Sequence, residues 1–339
     1  MKKIRFAIIG CGKIGERHAV QAQLYGELIA VCDIMEKPAR DLAEKYQLPF
    51  YVSIEDLLEN ETTADVMVIC TPNGLHATQS IQALQKGYHV LVEKPMAVSS
   101  KDCKRMMEAA AASGKHLFTV MQNRFNPPVM AVKKALDENI FGKLYSFQIT
   151  CLWNRGADYY RDSWHGTKEL DGGILFTQFS HFIDLLYVFF GEVKTISAFT
   201  KNAAHENCIE FEDSGVAILA CENGVIGTIH FSINSFQKNA EGSLTILGEK
   251  GTVKIGGEYL NTLQYQQFES GQLMGTIPAS EPNEYDTYRG SMRNHDKVYE
   301  TVVATLQTGK PFYATPMEGF KTVEIIERIY RAALSVKSD

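Results

Sequence analysis

The sequence predicts a doubly wound α/β domain over residues 1–122, followed by a second domain over residues 123–339. Two observations indicate the first domain. Short runs of Val, Ile and Leu alternate with helical segments, which is the pattern of a parallel sheet covered on both faces. A glycine-rich turn then joins the first apolar run to the first helix. The second domain is rich in strand-like segments, two of which are joined by the hairpin turn Asn223-Gly224.

The elements of the first domain follow in order from these runs. Residues 4–9 are a short apolar run that ends at a glycine, as a buried strand does before a tight turn. Pro38 stands near the first turn of the second helix, where its missing N–H costs no hydrogen bond. The predicted strands are 4–9, 28–33, 66–71, 89–93 and 116–120, and the predicted helices are 13–25, 37–46, 74–86 and 99–113.

The second domain contains six segments of strand character and three predicted helices. The strands are 144–153, 193–200, 214–221, 225–233, 243–247 and 252–255, and the helices are 174–190, about 290–308 and 317–336. Residues 270–290 show little periodicity, which predicts a long loop.

The helix predicted over 174–190 is mostly apolar, yet a histidine stands in its middle. At 100° per residue its polar side chains fall on one narrow stripe, namely Thr177, Ser180, His181 and Asp184, with Gln178 beside them. Two interpretations are open. Either His181 is a buried histidine satisfied by Asp184, or the polar stripe faces a ligand.

Composition and charge exclude several classes of protein. The chain has 339 residues, of which 45% are hydrophobic and 22% charged, as in an ordinary globular protein of about two domains. Its net charge of −6 argues against nucleic acid as a partner. The opening MKKIRFAIIGCG is too short in its apolar part for a signal peptide. No segment reaches the roughly eighteen apolar residues of a membrane span, so we expect a cytoplasmic protein.

The cysteines predict neither a disulfide framework nor a metal site. Their number is seven, which is odd, and no C-x-x-C pair occurs among them. Acidic residues and histidines also lack the spacing of metal ligands. We therefore predict reduced thiols and no bound metal.

The glycine-rich turn GCGKIG at residues 10–15 has the G-x-G-x-x-G pattern. Between a strand and a helix, Gly10 allows the tight turn, Gly12 lets the backbone approach a pyrophosphate, and Gly15 permits close helix–strand packing. The N–H groups at the start of the helix favour an anion. The alternative is a plain strand–helix turn. This placement predicts that the domain binds a dinucleotide.

Asp33 ends the second strand, 23 residues after Gly10. At this position a carboxylate accepts hydrogen bonds from the adenosine ribose and repels a 2′-phosphate, which predicts NAD rather than NADP. Lys37 and Arg40 lie close by in the sequence and would favour the opposite choice.

Three further motifs connect these observations to a known family. Thr71-Pro72-Asn73 with His76 follows the strand at 66–71, Glu93-Lys94-Pro95 follows the strand at 89–93, and Asp171-Gly172-Gly173 precedes His181. Together with LTILGEKGTVKIGG at 244–257, they resemble the Gfo/Idh/MocA family of nicotinamide-dependent sugar and polyol oxidoreductases. The resemblance implies an α/β Rossmann domain, and then an α+β domain with a large, mostly antiparallel open sheet.

The resemblance also implies the cofactor and the site residues. The expected cofactor is NAD, held by Gly10, Gly12, Lys13, Ile14, Gly15, Asp33, Thr71, Asn73, His76, Glu93, Lys94 and Gln122. The expected catalytic pair is Lys94 and His181. The expected substrate-binding residues are Lys94, Arg124, Arg155, Tyr160, Trp164, Thr177, Gln178 and His181. The polar stripe of the helix would then face the substrate beside the nicotinamide.

The chemistry fits that pair, because oxidising an alcohol requires a base for the hydroxyl proton while hydride leaves the same carbon. The ordinary pKa of histidine lies near neutral pH, which suits His181 to this task. Lys94 as a cation would favour the negative charge that develops on the oxygen. Asp184, one turn further on, would either fix the imidazole tautomer or form an ion pair on the helix surface.

More closely, QNRFNPP, WNRGADYYRDSWHGT and DGG…TQFSHFIDLL resemble one branch of the family, the UDP-N-acetyl-2-amino-2-deoxyglucuronate 3-dehydrogenases. One position departs from the pattern, since Thr177 stands where the family has Asp and the branch has Asn. Threonine neither carries charge nor acts as a base at neutral pH, so the proton-acceptor role moves to His181.

The stretch 153–164 adds groups suited to a sugar nucleotide. Its aromatic rings, which include Trp153, would pack on a sugar or a base, and Arg155 and Arg161 would bind phosphate or carboxylate. The alternative is that these aromatic rings only pack on their own domain. We also expect a homodimer or homotetramer, formed through the open sheet.

Three other functions stay open from the sequence. These are a dehydrogenase of another sugar or of an inositol-like polyol, an NAD-dependent glycosidase on the same fold, and a nucleotide sensor without catalysis. The presence of both Lys94 and His181 argues against the sensor, which has no need of a proton-transfer pair.

Overall fold

The computed structural model describes residues 2–269, 271, 282–284 and 289–336. The chain divides into two compact units: the first comprises Met1–Met121 and His295–Val323, and the second comprises Gln122–Asn294 and Glu324–Asp339. This division differs from a single boundary after residue 122, because the chain returns to the first unit near its end.

The first unit is built on a six-stranded parallel sheet. Up to residue 119 its elements are β1 (Arg5–Ile9), α1 (Lys13–Tyr25), β2 (Glu27–Cys32), α2 (Glu36–Tyr46), β3 (Phe50–Tyr51), α3 (Ile54–Asn60), β4 (Val66–Ile69), α4 (His76–Gln85), β5 (His89–Val92), α5 (Ser100–Ser113) and β6 (Leu117–Thr119). The strand order is β3-β2-β1-β4-β5-β6. The order reverses between β1 and β4, and ligands of such sheets bind at the carboxyl ends of the strands at that reversal.

The apolar runs of the sequence form the middle of this sheet. All four residues of β4 are buried, as are residues 6–9 of β1. Serine side chains begin two of the helices, because Ser53 Oγ and Ser99 Oγ accept hydrogen bonds from backbone N–H groups three residues on, at 3.0 and 3.1 Å. The predicted doubly wound domain is confirmed.

The second unit and the end of the chain contain the remaining elements. They are α6 (Pro127–Asp137), β7 (Leu144–Leu152), α7 (Ala157–Tyr160), α8 (Ile174–Thr177), α9 (Ser180–Phe190), β8 (Val193–Lys201), β9 (Ser214–Cys221), β10 (Ile226–Ser232), β11 (Glu241–Gly248), β12 (Gly251–Gly256), β13 (Thr262–Phe268), β14 (Pro282–Glu284), β15 (Arg289–Met292), α10 (His295–Thr308) and α11 (Pro316–Val336). Short 3₁₀ helices span Asn73–Leu75 and Gln122–Phe125.

The second unit is built on a seven-stranded sheet with the order β13-β12-β11-β7-β10-β9-β8. Only the pair of β7 with β10 is parallel in this sheet, so the predicted, mostly antiparallel sheet is confirmed. Gly224 turns between β9 and β10 with a φ of +86°, as the Asn223-Gly224 pair predicts.

The two faces of this sheet differ. Helix α9 covers one face, where the rings of Phe147 and Phe190 stack with centroids 4.4 Å apart. The other face displays large apolar side chains, including Phe199, Ile218 and Ile226, which are 61%, 62% and 57% exposed. Within the described ranges, the helices are all too short or too polar to cross a membrane.

One expectation from the sequence is wrong, and another falls mostly outside the described residues. The single helix predicted over 174–190 is wrong, since α8 ends at Thr177 and α9 begins at Ser180. The break falls at Phe179, whose ψ of 6° is not helical and whose buried ring packs on Trp153. Most of the loop predicted over 270–290 lies outside the described residues, and part of the rest forms β14, which pairs with β15.

Candidate active site

The glycine turn after β1 has the shape that a dinucleotide phosphate requires. Gly10 has a φ of +99°, and a Cβ there would lie 2.6 Å from the carbonyl oxygen of Cys70. A Cβ on Gly15 would lie 2.0 Å from the oxygen of Gly10. A Cβ on Gly12, in contrast, would meet nothing within 4 Å, so this side of the turn is open. Gly12 also begins α1 without a side-chain cap, which leaves the helix N-terminus available to an anion.

Asp33 lies directly after β2 and is joined to the glycine turn. Its Oδ2 accepts a hydrogen bond from the N–H of Cys11 at 2.8 Å, and its Oδ1 accepts one from Met35 at 2.9 Å. The carboxylate is therefore fixed next to the first glycine of the motif. Lys37 and Arg40 form ion pairs with residues of their own helix, Asp41 and Glu36, which lowers the positive charge they offer to a 2′-phosphate.

The segments after β4 and β5 are held together by the buried His76. Its Nδ1 lies 2.8 Å from the oxygen of Pro95, and its Nε2 lies 2.9 Å from the oxygen of Thr71. Asn73 is also buried here, at the start of its 3₁₀ helix. The ring of His76 therefore orders the backbone of both motifs that the sequence assigns to the cofactor.

Glu93 follows β5 directly and is a buried carboxylate. Its Oε1 lies 2.9 Å from Nε2 of His18 and 3.3 Å from Nε2 of His295, and its Oε2 accepts the N–H of Lys94 at 3.0 Å. Burial would raise the pKa of Glu93, but the hydrogen bonds from the two histidines outweigh it and hold that pKa well below its usual range. Burial lowers the pKa of His18 against the opposing effect of Glu93.

In the second unit, His181 lies in the first turn of α9 and is 2% exposed. Three residues later, Asp184 accepts two hydrogen bonds from Arg124, at 2.8 Å from Nε and 2.6 Å from Nη2. Of the two interpretations of Asp184, the structure shows the ion pair, but the pair is buried and not on the helix surface, because the side chains of Asp184 and Arg124 are only 1% and 10% exposed. The pair instead fixes α9, and with it His181, to the 3₁₀ helix that contains Arg124.

Thr177 does not share a helical stripe with His181, because the break at Phe179 resets the helical phase. Its hydroxyl donates to the carboxylate of Asp171, which also accepts the N–H of Gly166 at 2.7 Å. Gln178 is buried beside it, and its Nε2 lies 3.3 Å from the hydroxyl of Tyr159. Thr177 thus orders the loop that leads into α8.

The aromatic stretch 153–164 divides into a buried part and a surface part. Trp153 is only 4% exposed and packs on Phe179 and Tyr259. The alternative of packing within the domain holds for this ring. The half-buried Trp164 stacks on His165, with ring centroids 3.9 Å apart, and keeps part of its ring accessible to a ligand.

The polar residues of the same stretch also divide. The guanidinium of Arg155 lies over the rings of Trp153 and Tyr159, at 5.2 and 5.4 Å, and is almost fully buried. Tyr160 is 5% exposed, and its hydroxyl has no hydrogen-bond partner among the described residues. Arg161 is exposed and pairs with Asp158.

Several residues that hold the predicted site residues in place were not themselves predicted from the sequence. His18, His295 and Tyr299 surround Glu93, although His18 is 75 residues and His295 is 202 residues away along the chain. The ligand-type atoms of His18, Glu93 and His295 lie within 4.8 Å of one another. The one local signal was a polar residue, His18, on the buried side of α1.

Comparison with known proteins places both units in one family. Residues 4–121 match the family of oxidoreductases with an NAD-binding Rossmann fold, and residues 129–254 match the GFO/IDH/MocA C-terminal domain. Among curated proteins, D-glucoside 3-dehydrogenase of Escherichia coli is 30% identical over 240 residues, which is 67% of the length of each chain.

Two solved structures resemble almost the whole chain. The WlbA dehydrogenase of Chromobacterium violaceum, in complex with NADH and UDP-GlcNAcA, is 35% identical with a TM-score of 0.88, over 99% of this chain and 95% of that one. The WlbA dehydrogenase of Bordetella pertussis, solved with the same two ligands, is 35% identical with a TM-score of 0.87, over 98% and 97%. The chain therefore belongs to the Gfo/Idh/MocA family and is an NAD-binding oxidoreductase.

Proposed function

We propose that the protein is a cytoplasmic enzyme of surface-polysaccharide biosynthesis that oxidises the 3-hydroxyl of a UDP-linked N-acetylamino sugar acid with NAD. The observation that carries this proposal is the similarity to two dehydrogenases solved with NADH and UDP-GlcNAcA, which extends over nearly the full chain. The motifs QNRFNPP, WNRGADYYRDSWHGT and DGG, which resemble the same branch, lie outside residues 4–121, which match the NAD-binding family.

The chemistry is divided between the two units. NAD, when bound, supplies the acceptor for the hydride that leaves the carbinol carbon. His181 takes the proton of the hydroxyl, and Lys94, as a cation, stabilises the negative charge on that oxygen. The glycine turn binds the pyrophosphate, and Asp33 selects the ribose that carries a free 2′-hydroxyl. Thr177 contributes no base, so His181 is the proton acceptor.

Recognition of the sugar nucleotide falls to the side chains that surround α9 in the second unit. Gln178 is buried directly before α9, and Trp164 offers a half-buried ring for a base or a pyranose. Arg124 and Arg155 supply positive charge for a carboxylate or a diphosphate. Some of the N–H donors of these two arginines are already used, because Arg124 donates to Asp184 and Arg155 donates to the Asn154 carbonyl.

The substrate is tested with a panel of purified compounds. The protein is incubated with NAD and, separately, with UDP-N-acetylglucosaminuronate, UDP-glucuronate, UDP-N-acetylglucosamine and myo-inositol, in parallel with and without a 2-oxo acid that recycles bound cofactor. We expect a 3-keto sugar acid by mass spectrometry from the first compound, with the others slower by at least about tenfold.

Other outcomes of the panel are equally informative. Turnover of inositol alone would contradict the proposal and assign the protein to the polyol dehydrogenases. A separate incubation with an aryl glycoside and NAD tests the glycosidase alternative, which release of free sugar without build-up of NADH would show.

We also propose that the protein is a homodimer or homotetramer that associates through the open face of the second sheet. Phe199 and Val216 lie opposite each other on β8 and β9, and Ile218 and Ile226 extend the same apolar face. Contiguous apolar surface of this kind is typically covered by a partner. A second copy of the chain supplies a matching face, because a two-fold interface pairs a surface with itself.

The expected result in light scattering at micromolar concentration is a mass of at least twice that of the 37.9 kDa chain. Ile218→Lys should shift the mass towards the monomer, because a charge would be buried in the interface. The control is Leu24→Lys, at a site in α1 of the first unit that is 70% exposed, which should leave the mass unchanged. A monomer for the unaltered protein would refute the proposal.

A further inference from the structure

A buried polar cluster lies beneath the Lys94 turn, in the first unit. It consists of Glu93 at the end of β5, His18 on α1, His295 at the start of α10 and Tyr299 one turn later on α10. None of the four side chains is more than 7% exposed. A buried carboxylate is costly unless every oxygen is satisfied, so its presence here calls for a physical reason.

The hydrogen bonds define the charge and the tautomers of this cluster. A carboxylate only accepts hydrogen bonds, so His18 and His295 donate to Oε1 of Glu93 from their Nε2 atoms. His18 then carries its proton on Nε2, and its Nδ1 accepts the hydroxyl hydrogen of Tyr299 at 2.9 Å. Burial lowers the pKa of His18, which favours this neutral tautomer, so the hydrogen bonds run from Tyr299 through His18 to the carboxylate of Glu93.

The other carboxylate oxygen is directed at the catalytic segment. Oε2 of Glu93 accepts the backbone N–H of Lys94 at 3.0 Å. On the far side of the same turn, the oxygen of Pro95 lies 2.8 Å from Nδ1 of His76. The backbone of Lys94 and Pro95 is thus fixed from two sides by buried side chains.

We propose that Glu93 is a positioning residue, whose carboxylate, oriented by His18 and His295, fixes the backbone of Lys94 so that the lysine ammonium is presented to the reacting oxygen. A lysine has four rotatable side-chain bonds, so a small displacement of its backbone becomes a larger displacement of Nζ. Catalytic groups must be held to within about 0.5 Å, which requires a rigid support of this kind. The catalytic part of this inference rests on the role of Lys94 in the proposed function.

The test uses the full-length protein and the Glu93→Gln variant. The glutamine oxygen can still accept from the two histidines, but its NH₂ group then faces the N–H of Lys94, which loses its acceptor. We expect kcat to fall by about ten- to a hundredfold. The NAD dissociation constant should change less than about threefold although the resemblance assigns Glu93 to NAD, because its two oxygens are occupied by the histidines and the Lys94 N–H. Activity is normalised to the stoichiometry of NAD binding, so that loss of folded protein does not mimic the effect.

Two further measurements separate positioning from general stability. In a Lys94→Met background, Glu93→Gln should lower kcat by less than about twofold, because effects that act through one residue do not multiply. His295→Gln, which can still donate to Glu93, should retain more activity than His295→Leu. The control is His89→Asn at the other end of β5, whose side-chain oxygen can still accept the N–H of His116, and it should leave kcat unchanged.

Amide hydrogen exchange tests the structural part without any substrate. The exchange rate of the Lys94 N–H should rise in Glu93→Gln and stay unchanged in His89→Asn. Unchanged exchange at Lys94, or a normalised kcat equal to that of the unaltered protein, would overturn the inference. So would one equivalent of a transition metal per chain in elemental analysis, because the two histidines would then bind the metal in place of donating to Glu93. If the unaltered protein oxidises no sugar while Lys94 exchange responds as expected, the proposed function fails and the backbone role of Glu93 stands.

Discussion

Replacing His181 by asparagine is expected to lower turnover by about two orders of magnitude or more, which is the usual size of a general acid–base contribution. Asparagine keeps a polar side chain of similar size in the buried first turn of α9, but it takes up no proton near neutral pH. NAD binding should be largely retained, because the glycine turn and Asp33 belong to the first unit. The measurements are steady-state kcat and a fluorescence titration with NAD.

Lys94→Met is expected to cause a similar loss of turnover for a different reason. Methionine preserves the apolar part of the side chain but removes the cation that stabilises the developing oxygen charge. The two variants should differ in their pH profiles, since only the His181 variant loses the group that takes up the proton. Near-normal turnover in His181→Asn would show instead that His181 is only a buried, structural histidine.

Arg124→Met is expected to lower the free energy of unfolding by about 3–5 kcal/mol, because it leaves the buried carboxylate of Asp184 without its partner. The pair has two short hydrogen bonds, and Asp184 is 1% exposed, so water cannot replace the guanidinium. Asp184→Leu should lower the free energy of unfolding by a comparable amount, because it removes the carboxylate that accepts hydrogen bonds from the buried guanidinium of Arg124. Chemical denaturation followed by circular dichroism measures both, with the oligomeric state held constant.

The double variant Arg124→Met/Asp184→Leu provides the matched control. Replacing a buried ion pair by apolar side chains of similar volume is often nearly neutral, so most of the lost stability should return. If the losses of the two single variants simply add in the double variant, the two charges do not depend on each other. An exposed pair such as Lys37 with Asp41 should contribute less than about 1 kcal/mol.

The sequence by itself determined the first domain and its cofactor. The alternation of apolar runs with helices, the glycine turn at residues 10–15 and Asp33 at the end of β2 are local patterns, and each is decided by neighbouring residues. The structure confirms the parallel sheet, and the comparisons confirm the NAD-binding family. Local patterns also predicted six of the seven strands of the second sheet, all except β13, since alternation along a strand reports which face is buried.

Sequence reasoning was less successful over the segment around His181. The apolar run at 174–190 has the composition of one helix, but the structure interrupts it at Phe179, whose ring is fully buried. The ring of Phe179 also packs on Trp153, a contact within the domain that the sequence left open as an alternative. Periodicity describes one element at a time and does not include what packs against it.

The partners of the buried charges were decided only by the tertiary structure. Arg124 and Asp184 are 60 residues apart, and Glu93 is 75 residues from His18 and 202 from His295. Such pairs have no sequence spacing to detect, because the fold brings them together. A carboxylate in the interior is stable only when packing supplies its donors, so Glu93 and Asp184 acquire their roles, and Lys94 and His181 their support, from the folded chain.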